Sequence, residues 1–185
     1  MIYFSSDHHF SHTNVIRFCG RPFSSVEQMD SQMIMKWNSV VTPKDQVFYL
    51  GDFTLGNYKV ASQYLEKLNG KLFMMEGNHD RWMRNMSLYP KTKSGVIELL
   101  PPLYNMKVNG QVFVLCHYPM SSWLNSHYGS THLFGHVHGK FGHVAESQDN
   151  DLPPNQKRGK KIDVGVDINH FYPVSLDEVL NIIKE

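Results

Sequence analysis

The sequence predicts an α/β protein, built on a mixed β-sheet or on two packed sheets, and three observations carry that expectation. Short apolar runs of strand length recur along the chain. Segments with apolar residues at helical spacing lie between them, and strands alternating with helices are the mark of α/β layering. One pair of runs is joined by a two-residue turn, which adds an antiparallel component.

The expected strands are 2–5, 46–50, 71–75, 112–116 and 131–134, with late strands near 162–166. Their near-continuous hydrophobicity suits strands covered on both faces. Residues 104–108 and 111–115 flank Asn109-Gly110, a strong hairpin signal. Ser24-Ser25-Val26-Glu27 has the form of a capping box, followed by Val26, Met29, Met33, Trp37 and Val40 along one helical face. Residues 58–68 form a second expected helix, ended by Asn69-Gly70. Ser175-Leu176-Asp177-Glu178 caps a third, with Val179, Ile182 and Ile183 on one side. The methionines and aromatics of these helices are expected in the core.

A chain of 185 residues suits one well-cored domain, 1–185. With 41% hydrophobic and 19% charged residues it has a soluble, globular composition. No apolar run approaches the roughly 20 residues of a membrane span. Met1-Ile2-Tyr3-Phe4 lacks the basic region of a signal peptide. Cys19 and Cys116 show no paired-ligand spacing and are expected as buried thiols of a reducing, cytoplasmic protein. A net charge of +1 argues against an extended nucleic-acid surface and leaves room for a small phosphate-bearing substrate. The polar stretch 146–161, with Pro153-Pro154 and the basic cluster at 157–161, is expected as a solvated loop; the other reading is a flap over a substrate.

Eleven histidines are unusual, and their placement is more so. The apolar runs are followed by Asp7, His8 and His9; by Asp52; by Asn78 and His79; by His117; and by His136 and His138. Gly77-Asn78-His79-Asp80 taken alone is equally a strand-to-helix turn. Five strand-like runs all ending in metal-competent side chains are not explained by turns, and residues at the carboxyl ends of neighbouring strands converge. Asp7-x-His9 and His136-x-His138 offer paired ligands if the backbone there is extended. Seven ligands, Asp7, His9, Asp52, Asn78, His117, His136 and His138, exceed one four-coordinate ion and suit two divalent ions sharing Asp52. Imidazoles with hard oxygens and no thiolate favour manganese, iron, zinc or nickel over calcium, and manganese is the first expectation.

These blocks together resemble the calcineurin-like metallophosphoesterases, whose signature is DxH, GD, GNHD, H and GHxH in that order. Here the blocks are Asp7-His8-His9, Gly51-Asp52, Gly77-Asn78-His79-Asp80, His117 and Gly135-His136-Val137-His138. Ser6 to His12, Arg21-Pro22-Phe23 and Trp37-Asn38 resemble a compact bacterial and phage branch, in which His8 stands where threonine is usual. The resemblance implies a two-sheet sandwich flanked by helices with the metal site at one edge. It divides the ligands into Asp7, His9 and His138 on one ion and Asn78, His117 and His136 on the other, with Asp52 between. It makes His79 the catalytic imidazole and Asp80 its orienting partner.

Two divalent ions and the carboxylates of Asp7 and Asp52 leave a site of about +2, which attracts phosphate oxygens and lowers the pKa of a bridging water. In-line attack by that hydroxide would release an alcohol and a phosphate or phosphomonoester. A phosphodiesterase acting on a small, nucleotide-like diester is the favoured reading; a phosphomonoesterase, nuclease or protein phosphatase could use the same site. A non-catalytic binding scaffold is the rival class, and the intact ligand set stands against it. His79, adjacent to a ligand, should face away from the ion in extended backbone and serve as general acid. His12, Asn14 and Arg81 are candidate substrate contacts, and Arg17 another; helix-start or surface roles fit them equally. His127, His132, His143 and His170 are expected at the surface or satisfied in the core.

Overall fold

A computed structural model describes residues 1–85, 91–148 and 158–185. Its elements in chain order are β1 (Ile2–Ser5), α1 (Thr13–Phe18), α2 (Val26–Val40), β2 (Gln46–Tyr49), α3 (Tyr58–Leu65), β3 (Lys71–Met74), β4 (Lys91–Thr92), β5 (Gly95–Val96), β6 (Glu98–Leu99), β7 (Leu103–Val108), β8 (Gln111–Cys116), β9 (Thr131–Phe134), β10 (Val144–Glu146), β11 (Lys160–Asp163), β12 (Val174–Ser175) and α4 (Leu176–Lys184), with short 3-10 turns at Arg81–Asn85 and Ser126–Tyr128. The first sheet has the order β12-β1-β2-β3-β6, with β12 antiparallel to an otherwise parallel set. The second has the order β10-β11-β9-β8-β7, parallel at its centre and antiparallel at both edges.

The expectation of strands covered on both faces holds, and the register shows why. Tyr3, Val47 and Leu72 lie in one row across β1, β2 and β3, and Phe4, Phe48 and Phe73 in the next. Because strand side chains alternate, the first row faces the helices and the second faces the other sheet. Tyr3, Val47, Tyr49, Leu72 and Met74 share a core with Met29, Met33 and Trp37 of α2 and Ala61 and Leu65 of α3. Phe4, Phe48, Leu50 and Met75 pack with Phe113 and Leu115 of β8, Leu133 of β9 and Ile162 of β11. The Phe4 and Phe113 rings meet between the sheets at 6.0 Å. The two sheets therefore pack face to face, with helices flanking them. Each fully buried side chain of this size contributes roughly 1.5–3 kcal/mol, so these two layers dominate the stability.

Local signals are realised with small shifts. Asn109 and Gly110 both take left-handed backbone (φ 51° and 83°), as a two-residue turn matched to strand twist requires. Ser175 and Glu178 make both arms of a capping box on α4. On α2 the cap is Ser25, not Ser24: its hydroxyl accepts from the Gln28 amide, and the Gln28 side chain reaches back to Ser24. Helix α3 stops at Leu65, three residues short of expectation, and a tight turn delivers Leu68 into the core. Of the stretch expected as a loop, Lys160 and Lys161 belong to β11, while 149–157 lie outside the described residues. Among the described residues no helix is long and apolar enough to cross a membrane.

Candidate metal centre

Asp7 and His9 follow β1, Asp52 follows β2, Asn78 follows β3, His117 follows β8, and His136 and His138 follow β9. All five strands run parallel within their sheets, so both sheets deliver these side chains to one edge of the sandwich. The backbone there is not extended. Asp7, His9, Asp52, His136 and His138 all take positive φ, between 50° and 71°. Paired ligands two residues apart thus converge through left-handed turns, not through strand alternation. Such conformations cost of order 1–3 kcal/mol each and persist where the surroundings impose them. Here the Asp7 and His9 amides donate to the carbonyls of Gly51 and Asp52 at 3.0 and 3.1 Å.

Two glycines make the approach possible. A Cβ on Gly77 would stand 2.3 Å from the Asp52 amide and carboxylate, and one on Gly135 would stand 2.2 Å from Ser6 Oγ and 2.4 Å from Asp7 Oδ2.

Ligand atoms of Asp7, His9 and His138 lie within 4.8 Å of one another, and so do those of Asp52, His117 and His136. In the first group Asp7 Oδ2 accepts from Ser6 Oγ (2.8 Å) and the His136 amide (2.9 Å). Its Oδ1 and both ring nitrogens of His9 are buried without a hydrogen-bond partner among the described residues. His138 Nδ1 is engaged by Asp167 Oδ2 at 2.7 Å, which leaves Nε2. In the second group His117 Nδ1 meets the Leu50 carbonyl at 2.7 Å, so its Nε2 faces Asn78 Oδ1 (3.0 Å) and Asp52 Oδ2 (3.5 Å). Asp52 Oδ2 also lies 3.6 Å from His9 Nε2, which puts one carboxylate oxygen between the groups. Buried lone pairs converging without donors are costly, and a cation resolves that cost. The donor set therefore fits bound divalent metal. Cys19, His138 and Asp167 form a third close group, but Asp167 is already committed to His138 and Arg21.

Titration behaviour follows the same crowding. Burial raises the Asp7 carboxyl to about 7 and lowers the His9 imidazole to about 2. Burial also works against charge on Asp52 and His138 and is outweighed at both. Hydrogen bonding with His117, and the charges of His117 and His9, hold Asp52 at about 2; the bond to Asp167 raises His138 to about 10. His117 is likewise raised, burial opposing and Asp52 and Asp7 prevailing. Protons on these imidazoles compensate the negative charge that an ion would otherwise neutralise.

His79 sits at the open side of the cluster. Its side chain is 40% exposed, its amide donates to Asp52 Oδ1 at 2.9 Å, and its ring centre is 5.2 Å from that of His9. Its pairing with Asp80 is corrected. The buried Asp80 carboxylate accepts from the amides of Asp52, Phe53, Thr54 and Gly77 and from Trp82 Nε1, at 2.6–3.2 Å. It ties the loop after β2 to the turn after β3 and so aims Asp52; the carboxylate nearest the His79 ring is that of Asp52, at 4.0 Å. The extended-backbone reason for the direction of His79 also fails, since Asn78 and His79 lie in a turn.

His12 joins the cluster: its ring is 5.8 Å from that of His9 and its Nδ1 is buried without a partner among the described residues. Asn14 is exposed on α1. Arg81 is exposed and lines a cavity of about 360 Å³ with Leu55, Tyr58 and Trp82. Arg17 lies over the Phe18 ring. His8 is a core residue, stacked on Phe10 and bonded through Nδ1 to Tyr49 Oη at 3.1 Å; burial lowers it to about 3. His132 is buried as a neutral ring: Nδ1 donates to the Val114 carbonyl and Nε2 accepts from the Met120 amide. Sequence reasoning missed Tyr118, an exposed ring edge-on to His117 and His136, and it missed the roles of Arg21 and Asp167. Asp167 was discoverable as one more carboxylate after a late apolar run.

Fold and site together define a class: a two-sheet α/β sandwich with two adjoining candidate cation sites at the carboxyl edge of its strands. No family model matches the chain. Over its whole length it is 37% identical to the uncharacterised protein MJ1445 of Methanocaldococcus jannaschii, of which the match spans 92%, and it belongs to the same family. AQ665 of Aquifex aeolicus, a protein of unknown function, has the same fold, with a TM-score of 0.70 at 22% identity over 98% of both chains. A novel archaeal phosphodiesterase aligns with 89% of this chain and 82% of its own at 17% identity; its TM-score of 0.46 is too low to bear on activity.

Proposed function

We propose that this protein is a divalent-metal-dependent phosphoester hydrolase, and that its substrate is a small, nucleotide-like phosphodiester. The observation that carries the reading is the convergence of Asp7, His9, Asp52, Asn78, His117, His136 and His138 at one sandwich edge, where Asp7 Oδ1 and the His9 ring nitrogens are buried with no hydrogen-bond partner among the described residues. The blocks that resemble the calcineurin-like metallophosphoesterases are the blocks that converge. Asp7, His9 and His138 would hold one ion, and Asn78, His117 and His136 the other, with Asp52 Oδ2 between them. Two such ions, manganese being favoured, supply the positive charge that draws phosphate oxygens and the Lewis acidity that activates water near neutral pH.

The chain's own residues do the rest. The five-donor cage of Asp80 holds the loop of Asp52, and Asp167 holds His138, so the cluster is preorganised. His79, half-exposed beside it, would protonate the departing oxygen; imidazole is the side chain suited to that exchange near neutrality. A net charge of about +2 does not require a dianionic substrate, which favours a diester over a monoester.

The test is turnover of a chromogenic phosphodiester with added manganese, compared with the matching monoester. Faster diester hydrolysis is expected. A preference for the monoester would make the enzyme a phosphomonoesterase, and no turnover of either by metal-loaded protein would refute the reading in favour of a binding scaffold.

A further inference from the structure

One guanidinium is built into the floor of the site. Arg21 is 4% exposed, and four of its hydrogen bonds go to groups that shape the first ligand cluster. Nη2 donates to the Asp7 carbonyl at 2.7 Å and Nη1 to the His8 carbonyl at 2.8 Å. Nε and Nη2 donate to Asp167 Oδ1 and Oδ2, at 2.7 and 2.8 Å. Asp167 Oδ2 in turn takes His138 Nδ1 at 2.7 Å. The chain that holds these groups spans 146 residues between Arg21 and Asp167.

We propose that Arg21 and Asp167 are positioning residues that pre-set the Asp7, His9 and His138 group for metal. Arg21 clamps the left-handed turn from which Asp7 and His9 project, and Asp167, held in the same fork, fixes His138 with Nε2 as its one available ring nitrogen. This rests on the metal-centre reading above.

Two features favour a positioning role over simple packing. The carbonyls of Asp7 and His8 lie in a turn where Asp7 and His9 have φ of 61° and 52°, so their orientation decides where two ligands point. A planar fork that binds a carboxylate with two parallel bonds also fixes the plane of that carboxylate, and with it the imidazole it accepts from; lysine has no such geometry. The second group is held by other means: Asp80 cages the loop of Asp52, and His117 is oriented by the Leu50 carbonyl at the end of β2, across in the other sheet.

The proposal predicts selective damage. Partners behind a metal ligand typically contribute about 10–100-fold to affinity. Asp167→Ala and Arg21→Lys should therefore weaken one of the two Mn²⁺ sites by about 10–100-fold in calorimetric titration and leave the other within about twofold. Asp167→Asn, which keeps an acceptor for Nδ1–H, should recover part of the loss. Equal weakening of both sites, or no weakening, in folded variants overturns the proposal. Wild-type protein that binds no Mn²⁺ overturns the proposed function as well, which separates the two failures. If the variants do not fold, histidine-¹⁵N spectra of the wild-type protein with Zn²⁺ decide. His138 should keep its Nδ1 proton and coordinate through Nε2; coordination through Nδ1 overturns the proposal.

Discussion

Replacing Gly135 by alanine tests the tightest contact of the site. Gly135 is buried and its own φ lies outside the left-handed region, so the substitution adds volume without adding backbone strain. The new Cβ would stand 2.2 Å from Ser6 Oγ, 2.8 Å from Ser6 Cβ and 2.4 Å from Asp7 Oδ2. Because Ser6 Cβ itself is in the way, turning the serine hydroxyl does not relieve the overlap, and the Asp7 carboxylate or the β9 turn must move. Overpacking of this kind costs about 1–3 kcal/mol. Losing either donor to Asp7 Oδ2, the Ser6 hydroxyl or the His136 amide, adds about 1–3 kcal/mol for a buried acceptor. The total of about 2–6 kcal/mol lowers Tm by roughly 4–24 °C for a chain of this size. Thermal unfolding of the metal-free protein followed by circular dichroism measures it. Gly142→Ala is the control, since nothing lies within 4 Å there and only its φ of +78° opposes a side chain. A Gly135→Ala protein as stable as wild type, with unaltered Mn²⁺ affinity, would refute the close-approach reasoning.

His79→Ala should retain metal, lose little rate on a nitrophenyl ester and lose about 10²–10⁴-fold on an alkyl or ribose ester, where the leaving oxygen needs a proton; equal losses on both substrates would exclude the general-acid role. Mn²⁺ affinity should rise with pH, more steeply below about 7 than above it and on toward about 10, because an ion must displace protons from Asp7, held up to about 7, and from His138, held up to about 10; calorimetry in buffers of different ionisation enthalpy should show proton release, and a flat profile would refute this. Metal-free protein should lose stability in acid, since His8 and His9 are depressed from 6.5 to about 3 and about 2. The stability that goes with their neutrality is full above pH 6.5 and declines as pH falls toward those values, and the two together outweigh the opposite effect of Asp7, raised to about 7; a melting temperature that rises on acidification over that window would contradict this balance.

Much of the fold is legible in local sequence because its signals are local. The runs that became β1, β2, β3, β8 and β9 are apolar over strand length, and Asn109-Gly110 admits few turns besides the observed one. The seven candidate ligands are equally legible, because each follows its run directly and a strand's carboxyl end is where parallel sheets expose side chains. What local sequence does not contain is the short pairing of weak segments. β6, β10 and β12 are two or three residues long and exist only because a longer neighbour offers a ladder.

The identity and order of the candidate ligands were determined by the sequence alone; how they are aimed was decided by the tertiary structure. The convergence of Asp7 with His9 depends on left-handed turns that residue type does not encode, and on carbonyls clamped by Arg21. The partner of His138 is Asp167, 29 residues on, and Asp80 serves the amides around Asp52, not its neighbour His79. The physical reason is common to all of these. A buried donor or acceptor must be satisfied by whatever group the fold brings within about 3 Å. Sequence proximity does not specify that group, and only the packing of the two sheets supplies it.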